Sequence, residues 1–486
     1  MNARLVRHVV YPLHERWFGR ETFRLLRQLD ESQWWPRERI RELQAGKLRR
    51  LFLHAAESNT YFAQAFGDSG IDPRVDEPFA VLSALPTLTR DKILANTGAF
   101  MSAAPGNRVR RMSTGGSTGE PLTFLVSRTR EAFDKAARMR AHRWFGVHPG
   151  DREMYVWGAP IEYRRQDRWR TLRDRLLNDA LISAFDLAPG RGDDYSRRLE
   201  RFNPVCLFGY PSSMATLCDL IDDAGLRPRL PVLRAVFTTG ELLDAGQRER
   251  LRSFFGVPVA DGYGGRDSGS CAHECPAGRM HITAEHVILE IIDDAGRPLP
   301  TGETGEIAVT NLDNLATPFI RYRTGDVGRL SDEPCPCGRT LDVMDVVQGR
   351  RTDHLVTVDG RLRHALALIY LLRDAPGVRK FQVHQRHDRS VEVRVVAGAS
   401  FDDVARRRLT IGVQGCVGDG VPISIRDVPQ IDAQQSGKFR CVVSDAVGGW
   451  DCPVDGRNGR DSWSSDDTMA KSSNRVGAAE FAVQTP

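Results

Sequence analysis

The chain has 486 residues, of which 41% are hydrophobic and 27% charged, a composition typical of soluble globular proteins. Its 68 basic and 63 acidic residues give a net charge of +5, which is small for this length and argues against a dedicated nucleic-acid binder. No apolar run approaches the roughly 18 residues that would span a bilayer, and the N-terminal segment lacks the apolar centre of a secretory signal. We therefore expect a cytoplasmic protein of about two or three domains, without a transmembrane segment.

The N-terminal part of the chain, to about residue 85, is predicted to be mainly helical. The segment 37–58 places Ile40, Leu48, Leu51 and other apolar residues near helical spacing. Thr89, which follows Pro86, is a candidate N-cap for the next helix. Further on, 162–179 contains six arginines and is interpreted as a solvated helical face, with an anion-binding surface as the alternative.

From about 105 to 330, short apolar strands alternate with helices. Segments 232–240 and 257–265 end in glycine or small polar residues, as strands that lead into loops do. Segments 286–294 and 305–312 have the alternation of a strand pair and are joined by a turn-rich connection. This pattern predicts an α/β architecture with ligands bound at strand ends.

Near Gly349 the pattern changes again. Strand-like and helical segments from there to about Asp445 predict a small α+β unit. Residues 446–486 are rich in Gly, Ser, Asp and Asn with little apolar periodicity, so we expect a disordered tail.

A glycine-rich stretch, STGGSTGEP at 113–121, is the most informative motif. Its glycines allow close approach of the backbone to a ligand, and its hydroxyls supply donors to anionic oxygens. It lacks the Gly-Lys-Ser/Thr ending of a kinase-type P-loop and the spacing of a dinucleotide fingerprint. The residues therefore point to a phosphate-binding loop of another kind.

This loop resembles the phosphate-binding loop of the adenylate-forming superfamily, which includes acyl-CoA synthetases, peptide-synthetase adenylation domains and luciferases. Five further segments resemble superfamily motifs and occur in the family's order: TTGELL (238–243), DGYGGRDSG (261–269), RYRTGDVG (321–328), GRRTD (349–353) and SGKFR (436–440). Within the superfamily, YGGRDSGSCAHEC and CPCGR look most like the phenylacetate-CoA ligase branch, nearest to its CapK-like members associated with capsular polysaccharide genes.

The resemblance implies a large adenylate-forming domain over 1–348, with 1–85 mainly helical, and a mobile C-terminal domain over 349–445. A hinge at Arg350 would join them, with the one-residue offset between Thr352 and Asp353 left open. The small domain would rotate between two half-reactions.

The resemblance also implies a site for ATP and Mg²⁺. Phosphates would bind Ser113, Thr114, Gly115, Gly116, Ser117, Thr118 and Gly119. Adenine and ribose would lie near Gly240, Glu241, Asp261, Gly262, Tyr263, Gly264, Asp326 and Arg350. Asp267 would hold magnesium, directly or through a bridging water, since the family usually has the longer Glu there. Lys438 would be the catalytic lysine that neutralises charge between the substrate carboxylate and the α-phosphate.

The implied activity is that of an AMP-forming acid–thiol ligase, which makes an acyl-adenylate and passes the acyl group to coenzyme A. One alternative is transfer of the acyl or adenylyl group to an amine, sugar or cofactor. Another is a degenerate, non-enzymatic homologue. The sequence leaves open the carboxylic acid, the acceptor and a homodimeric assembly.

The nine cysteines are an odd number, and several lie close together, which in a cytosolic chain favours metal ligands over disulfides. Cys275, His281, Cys335 and Cys337 form a Cys₃His set, a common composition for tetrahedral zinc. Cys271 and His273 are near enough in sequence to compete as ligands. We expect a structural zinc, with buried free thiols as the alternative.

Overall fold

A computed structural model of the chain describes residues 1–101, 109–114, 122–158, 167–184, 187–243, 245–348, 354–358, 362–365, 368–369, 371–372, 375–398, 400–431 and 442–446. Throughout these residues the mixed α/β class expected from the sequence is confirmed. None of the helices in this part of the chain has the length and apolar character needed to span a bilayer.

Helices dominate the first hundred residues, as predicted. They are α1 (Ala3–Leu5), a π-helical turn (Val6–Val10), α2 (Tyr11–Trp17), α3 (Thr22–Ser32), α4 (Arg37–Ser58), α5 (Thr60–Asp68), α6 (Pro78–Ala84), α7 (Arg90–Ala95) and α8 (Thr97–Phe100). Helix α4 has the bounds of the predicted segment 37–58. Thr89 is the N-cap of α7, where its hydroxyl accepts a hydrogen bond from the Lys92 amide at 3.3 Å.

The first three helical elements run into one another without a break in helical backbone. The Tyr11 amide donates to the Val6 carbonyl, an i→i+5 bond that defines the π turn. Pro12 lies in the next turn, where it has no N–H and its ring would clash with the carbonyl four residues earlier. A local widening just before a proline relieves that clash, which accounts for the π turn at this position.

Eleven strands form the large sheet. They are β3 (Glu153–Trp157), β4 (Asp179–Ser183), β5 (Cys206–Gly209), β6 (Ala235–Thr239), β7 (Val259–Gly265), β8 (Gly269–Glu274), β9 (Met280–Ile282), β10 (Val287–Ile292), β11 (Thr304–Asn311), β12 (Tyr322–Ser331) and β13 (Val343–Gln348). Their order is β10-β11-β12-β13-β9-β8-β7-β6-β5-β3-β4. Strands β4, β3, β5, β6 and β7 are parallel neighbours, and the remaining pairings are antiparallel.

The two halves of this sheet meet where β13 pairs with β9. Only Val343 with His281 and Met344 with Met280 are opposed there, within the described residues. We call this short pairing the seam. The predicted strand pair 286–294 and 305–312 forms β10 and β11 in the half that also contains β12 and β13.

Helices cover both faces of the parallel half. Alternate residues of β6 point to opposite faces, so Val236 packs in one core and Phe237 in another. The helices of this region are α9 (Arg128–Arg143), α10 (Asp167–Leu177), α11 (Gly192–Phe202), α12 (Pro211–Asp223) and α13 (Ala245–Phe255). His142 of α9 stacks on Phe237 with ring centroids 3.8 Å apart, while Met214 of α12 packs in the core that contains Val236.

The described part of the C-terminal region includes two small sheets and a long helix. Strands β14 (His354–Val356) and β15 (Leu362–His364) pair with each other, and β16 (Val378–Gln385), β17 (Val391–Ala397), β18 (Ile423–Asp427) and β19 (Val442–Ser444) form a sheet of order β18-β17-β16-β19. Helix α14 (Asp403–Val417) packs its apolar face against this sheet in a core of its own. A separate sheet in this region agrees with the predicted fold class.

Candidate functional site

Ser113, the first residue of the glycine-rich motif, ends β1 (Val109–Ser113), which pairs with β2 (Thr123–Ser127) in an antiparallel hairpin. The Thr114 amide donates to the Leu122 carbonyl at 3.0 Å, and the Leu122 amide donates to the Thr114 hydroxyl at 3.1 Å. These two bonds close the base of the loop and hold Ser113 and Thr114 in fixed positions. Gly115, Gly116, Ser117, Thr118 and Gly119 lie outside the described residues.

Asp267 lies in the turn between β7 and β8, next to the base of that hairpin. Its Oδ2 accepts a hydrogen bond from the Tyr322 hydroxyl at 3.0 Å, and its Oδ1 accepts one from the Ser268 amide at 2.9 Å. Arg266, its neighbour, donates to the Ser113 carbonyl at 3.1 Å. Three motif segments that are far apart in the sequence, 113–121, 261–269 and 321–328, are thereby joined.

Helix α9 holds the Asp267 turn from the other side. Arg130, which is 1% exposed, donates from Nη2 to the Arg266 carbonyl at 2.6 Å. Asp134 accepts a hydrogen bond from the Ser270 amide at 2.7 Å and lies 3.4 Å from Arg130 Nε. The two side chains thus contact the backbone on both sides of Asp267. Sequence reasoning missed them, since charged residues on a helix normally face solvent.

A buried charge network continues from Asp134 toward α4. His286 lies between Asp134 and Asp313, with ring nitrogens 3.3 and 2.9 Å from their carboxylates, and Lys47 pairs with Asp313 at 2.8 Å. Burial lowers the pKa of His286, but its hydrogen bonds to the two carboxylates outweigh burial and leave the pKa raised. Burial raises the pKa of Asp313, yet His286 and Lys47 leave it below its usual range. The network therefore favours a protonated His286 between two carboxylates.

Tyr263 and Asp326 meet although three strands separate β7 from β12 in the sheet. The Tyr263 hydroxyl donates to Asp326 Oδ2 at 3.0 Å, and the Asp326 amide donates to the Thr324 hydroxyl at 3.1 Å. Burial, and then the negative charge of Asp326, raise the pKa of Tyr263 well above its usual value. The two residues expected near adenine and ribose are thus in direct contact.

The site residues predicted just after β6 and within β7 make specific contacts with neighbouring residues. Gly240 has φ +82°, and a Cβ there would lie 3.0 Å from the Tyr210 ring, so this position requires glycine. The Glu241 carboxylate accepts from the Ser212 amide at 3.2 Å, at the N-terminus of α12. Asp261 accepts from the Thr238 hydroxyl at 2.6 Å, and burial raises its pKa to about 7 despite that bond.

The other two predicted glycines, Gly262 and Gly264, lie in β7 beside β8. A Cβ at Gly264 would come within 2.2 Å of the Gly269 carbonyl oxygen, whereas one at Gly262 would lie 3.3 Å from the His273 ring. The close pairing of β7 and β8 therefore requires glycine at 264.

An aromatic stack lines the carboxyl ends of β3 and β5. Trp157 and Tyr210 are stacked with ring centroids 4.0 Å apart. Phe208 also stacks on Trp157, with ring centroids 5.8 Å apart. These rings lie beside Gly240, at the edge where ligands bind in open α/β sheets. The stack supplies an apolar wall next to the segments of the nucleotide motifs.

Cys275, His281, Cys335 and Cys337 converge at the seam. Their ligand atoms all lie within 4.8 Å of one another, with Cys275 Sγ 3.6 Å from Cys335 Sγ and His281 Nε2 3.2 Å from Cys337 Sγ. A tetrahedral zinc with bonds of about 2.0–2.3 Å separates its ligand atoms by roughly 3.5–3.8 Å. The spacing therefore fits a metal of that size and geometry.

The surroundings also prepare His281 as a ligand. Its Nδ1 lies 3.2 Å from the Leu341 carbonyl, a contact that leaves the Nε2 lone pair free to face the thiols. Burial lowers the pKa of His281 to about 4, so the imidazole is neutral near pH 7. Burial, with hydrogen bonds among the thiols, raises the pKa of Cys335 to about 12. The competing candidates are not part of this group: Cys271 directs its thiol to the Gly269 carbonyl and His273 contacts Ser270.

Several predicted features lie outside the described residues. These are the catalytic Lys438, the hinge residue Arg350, the glycines of the phosphate loop and the tail after 446. For 162–179, the structure places helix α10 over 167–177. Leu172, Arg173, Arg175 and Leu176 of this helix are exposed, which fits both a solvated face and an anion-binding surface.

Comparison with known proteins supports the resemblance found in the motifs. Residues 355–445 match the family described as CapK C-terminal domain. The chain is 26% identical over 332 residues to a phenylacetate-coenzyme A ligase of Thermus thermophilus, covering 66% of this chain and 72% of the relative. It is 23% identical over 299 residues to Protein CapK of Staphylococcus aureus, covering 60% and 63%.

Among solved structures, 2-hydroxyisobutyryl-CoA ligase in complex with 2-HIB-AMP and CoA in the thioesterification state has the same fold. The TM-score is 0.60 at 21% identity, and the match covers 85% of this chain and 93% of the ligase. The same ligase in its postadenylation state gives a TM-score of 0.55. The expected relationship is confirmed: this is an adenylate-forming, phenylacetate-CoA ligase-like protein related to CapK.

Proposed function

We propose that this protein activates a carboxylic acid with ATP to give an acyl-adenylate and then transfers the acyl group to coenzyme A. The observation that carries the proposal is the junction of three motif segments, in which Arg266 contacts Ser113 and Tyr322 contacts Asp267. Similarity to phenylacetate-coenzyme A ligases supports the acid–CoA ligase reaction. A fold shared with a ligase described with an acyl-AMP and CoA agrees with both half-reactions.

In the first half-reaction a carboxylate oxygen attacks the α-phosphorus and pyrophosphate leaves. Because both reactants are anions, the protein must hold them in line and neutralise charge. Ser113, Thr114 and the following loop would bind the β- and γ-phosphates, while Asp326 would accept hydrogen bonds from the ribose hydroxyls. In the second half-reaction the CoA sulfur attacks the acyl carbon and AMP leaves.

The chemistry around Asp267 fits a magnesium ion. Its two oxygens accept hydrogen bonds from neutral donors, the Tyr322 hydroxyl and the Ser268 amide. The carboxylate oxygens thus keep lone pairs that can bind a hard cation. When bound, the ion would neutralise phosphate charge, and the Tyr322 hydroxyl would orient the carboxylate that holds it.

We further infer two domains, 1–348 and 349–445, followed by the tail 446–486. The separate apolar core of the C-terminal sheet and the family match over 355–445 support this division. Lys438 would enter the site from the small domain during adenylation, and rotation about Arg350 would withdraw it for thioester formation.

A structural zinc at Cys275, His281, Cys335 and Cys337 completes the proposal. Three thiolates and one imidazole fill a tetrahedral shell, which leaves no open position for substrate. The ion would cross-link the loop after β8 to the loop after β12. Its role is therefore to hold the seam, and not to take part in catalysis.

The direct test is ATP–pyrophosphate exchange over a panel of aromatic and aliphatic carboxylic acids. We expect exchange that depends on both ATP and one class of acid. No exchange with any acid would refute adenylation, and would favour a degenerate homologue that binds nucleotide only. Adding CoA, amines or sugars to the acid that works then identifies the acceptor, because only the true acceptor yields a new acyl product with release of AMP.

Two variants separate binding from chemistry. Lys438→Ala should abolish acid-dependent AMP formation and leave ATP binding largely intact, since its charge acts in the transition state. Asp326→Ala should instead raise the KM for ATP. Asp332→Ala is a matched control, because its carboxylate is 77% exposed on the same half of the large sheet. Wild-type adenylation by Lys438→Ala would refute the assigned role of Lys438.

A further inference from the structure

The N-terminal helical stretch has an apolar face that nothing covers in the described part of the chain. Leu5, Val9, Leu13 and Trp17 recur every four residues, and they are 47%, 45%, 57% and 82% exposed. We call these four residues the outer stripe. Phe18 follows directly and is also exposed. Isolated exposed apolar residues are ordinary, but a continuous row of large ones on one helix usually marks an interaction surface.

The π turn keeps the outer stripe straight. In an α-helix, four residues overshoot one full turn by about 40°, so a row at this spacing would wind around the helix. The wider π turn at Val6–Val10 advances less per residue and cancels part of that drift. The row therefore stays on one side of the helix, and Pro12, which accounts for the π turn, contributes to the surface.

The opposite side of the same helices already packs against the protein. Val6 and Tyr11 are buried in a core with residues of α3 and α9. Glu15 is 1% exposed and pairs with Arg20 and Lys135 at 2.8 Å each. Because this inner side anchors the helices, the outer stripe is not needed for the fold.

A second apolar pair lies beside the first row. Helix α10 packs next to the π turn, and its Leu172 and Leu176, four residues apart, are 47% and 39% exposed. Both helices therefore supply exposed apolar residues in the same region.

The exposed charged side chains within the stretch 1–20 are basic. Arg4, His8 and Arg16 are exposed between its members, whereas the single acidic residue of the stretch 1–20, Glu15, is turned inward. On α10, Arg175 is exposed, and Asp174 is paired with Arg173. Large apolar residues flanked by arginines, with tryptophan at the edge, are the composition of helices that lie in the plane of an anionic membrane surface.

We propose that the outer stripe, with Leu172 and Leu176, docks this protein on an anionic lipid surface. Two copies of the chain pairing through the outer stripe would bring Arg4 and Arg16 against like charges, and the acidic residue of the stretch 1–20, Glu15, is buried and cannot compensate. Anionic headgroups provide the opposite charge, and the acyl region accepts the apolar side chains. The proposal does not depend on the proposed enzymatic activity.

The test is flotation of the full-length protein with vesicles of phosphatidylcholine alone and of phosphatidylcholine with about one third phosphatidylglycerol. The wild type should float with the anionic vesicles, and rising salt should release it. Trp17→Glu and Leu13→Glu should each lower the bound fraction at least about tenfold. Arg4→Glu combined with Arg16→Glu should lower binding to the anionic vesicles by a similar factor.

Val75→Glu is the matched control, since Val75 is 74% exposed in the same domain but far from the outer stripe in sequence; it should bind like the wild type. Circular dichroism and melting of each variant establish that the fold is intact. Failure of the wild type to bind either vesicle, or full binding by folded Trp17→Glu, would overturn the proposal. A solution dimer that Leu13→Glu dissociates, without vesicle binding by the wild type, would overturn it in favour of a second copy of the chain.

Discussion

Arg130 offers a sharp test of how the candidate site is held in place. We consider Arg130→Met, which keeps the length and apolar stem of the side chain and removes its charge and donors. The lost bond to the Arg266 carbonyl is 2.6 Å long and partly buried, and a hydrogen bond from a charged donor is worth about 1.5–3 kcal/mol. Losing the nearby charge pair with Asp134 adds to this cost. The substitution also removes two buried guanidinium nitrogens that have no hydrogen-bond partner, Nε and Nη1, and this offsets part of the cost.

Together these changes should lower the free energy of unfolding by about 2–4 kcal/mol. The turn that contains Asp267 would lose the hydrogen bond that Arg130 donates to the carbonyl of the preceding residue, Arg266. A misplacement of about 1 Å in such a site costs on the order of a hundredfold in rate. We therefore expect acid-dependent ATP–pyrophosphate exchange to fall by about 10- to 100-fold, with a smaller change in the KM for ATP.

The assay combines urea unfolding with exchange measured at low temperature, where the variant remains folded. Arg128→Met is the control, since Arg128 lies on the same helical turn, is partly exposed and pairs only locally with Glu131. Exchange by folded Arg130→Met within about twofold of the wild type would refute the positioning role. An equal loss in Arg128→Met would also refute it, because the effect would then not be specific to the buried contact.

Three further outcomes are expected. Protein purified without an affinity-tag metal should contain about one zinc per chain, and Cys335→Ser should lose it and unfold at lower urea; metal-free protein of equal stability would contradict the site. Because the pKa of His286 is raised, its contribution to stability is full below about pH 6.5 and is lost as pH rises through the raised value; the deficit of His286→Gln in urea unfolding should therefore shrink between pH 6 and 9. Arg140→Met should cost about 3–5 kcal/mol, since it leaves the buried Glu285 without its partner at 2.7 Å, and adding Glu285→Gln should recover part of that loss.

Hydrophobic periodicity correctly predicted the helices and strands whose buried side follows from their own residue pattern. Helix α4 has the predicted bounds because its apolar positions alone define a buried side. Strands β10 and β11 alternate clearly and pair as expected. The convergence of Cys275, His281, Cys335 and Cys337 was also anticipated, since their residue types favour a common metal whatever the path of the chain.

The supports of the site could not be predicted in this way. Arg130 and Asp134 occupy a helix rich in charged residues, where the pattern favours solvent exposure, and their contacts depend on residues about 135 positions further along the chain. Tyr322 was seen only as part of a motif, and its contact with Asp267 depends on tertiary structure. The roles assigned to Lys438 and Arg350 remain predictions, because both residues lie outside the described part of the chain.

The seam has a consequence for how the molecule assembles. Strands β9 and β13 pair through only two residue pairs among the described residues, Met280–Met344 and His281–Val343. This short pairing offsets little of the entropy that is lost when the chain between the two strands closes into a loop. Contacts so distant in sequence and so few in number form late, after each half of the sheet has its own hairpins. We therefore expect the proposed zinc, if bound by Cys275 and Cys335 together with His281 and Cys337, to favour the joining of the two halves into one sheet. Reducing conditions would keep these thiols able to bind the metal.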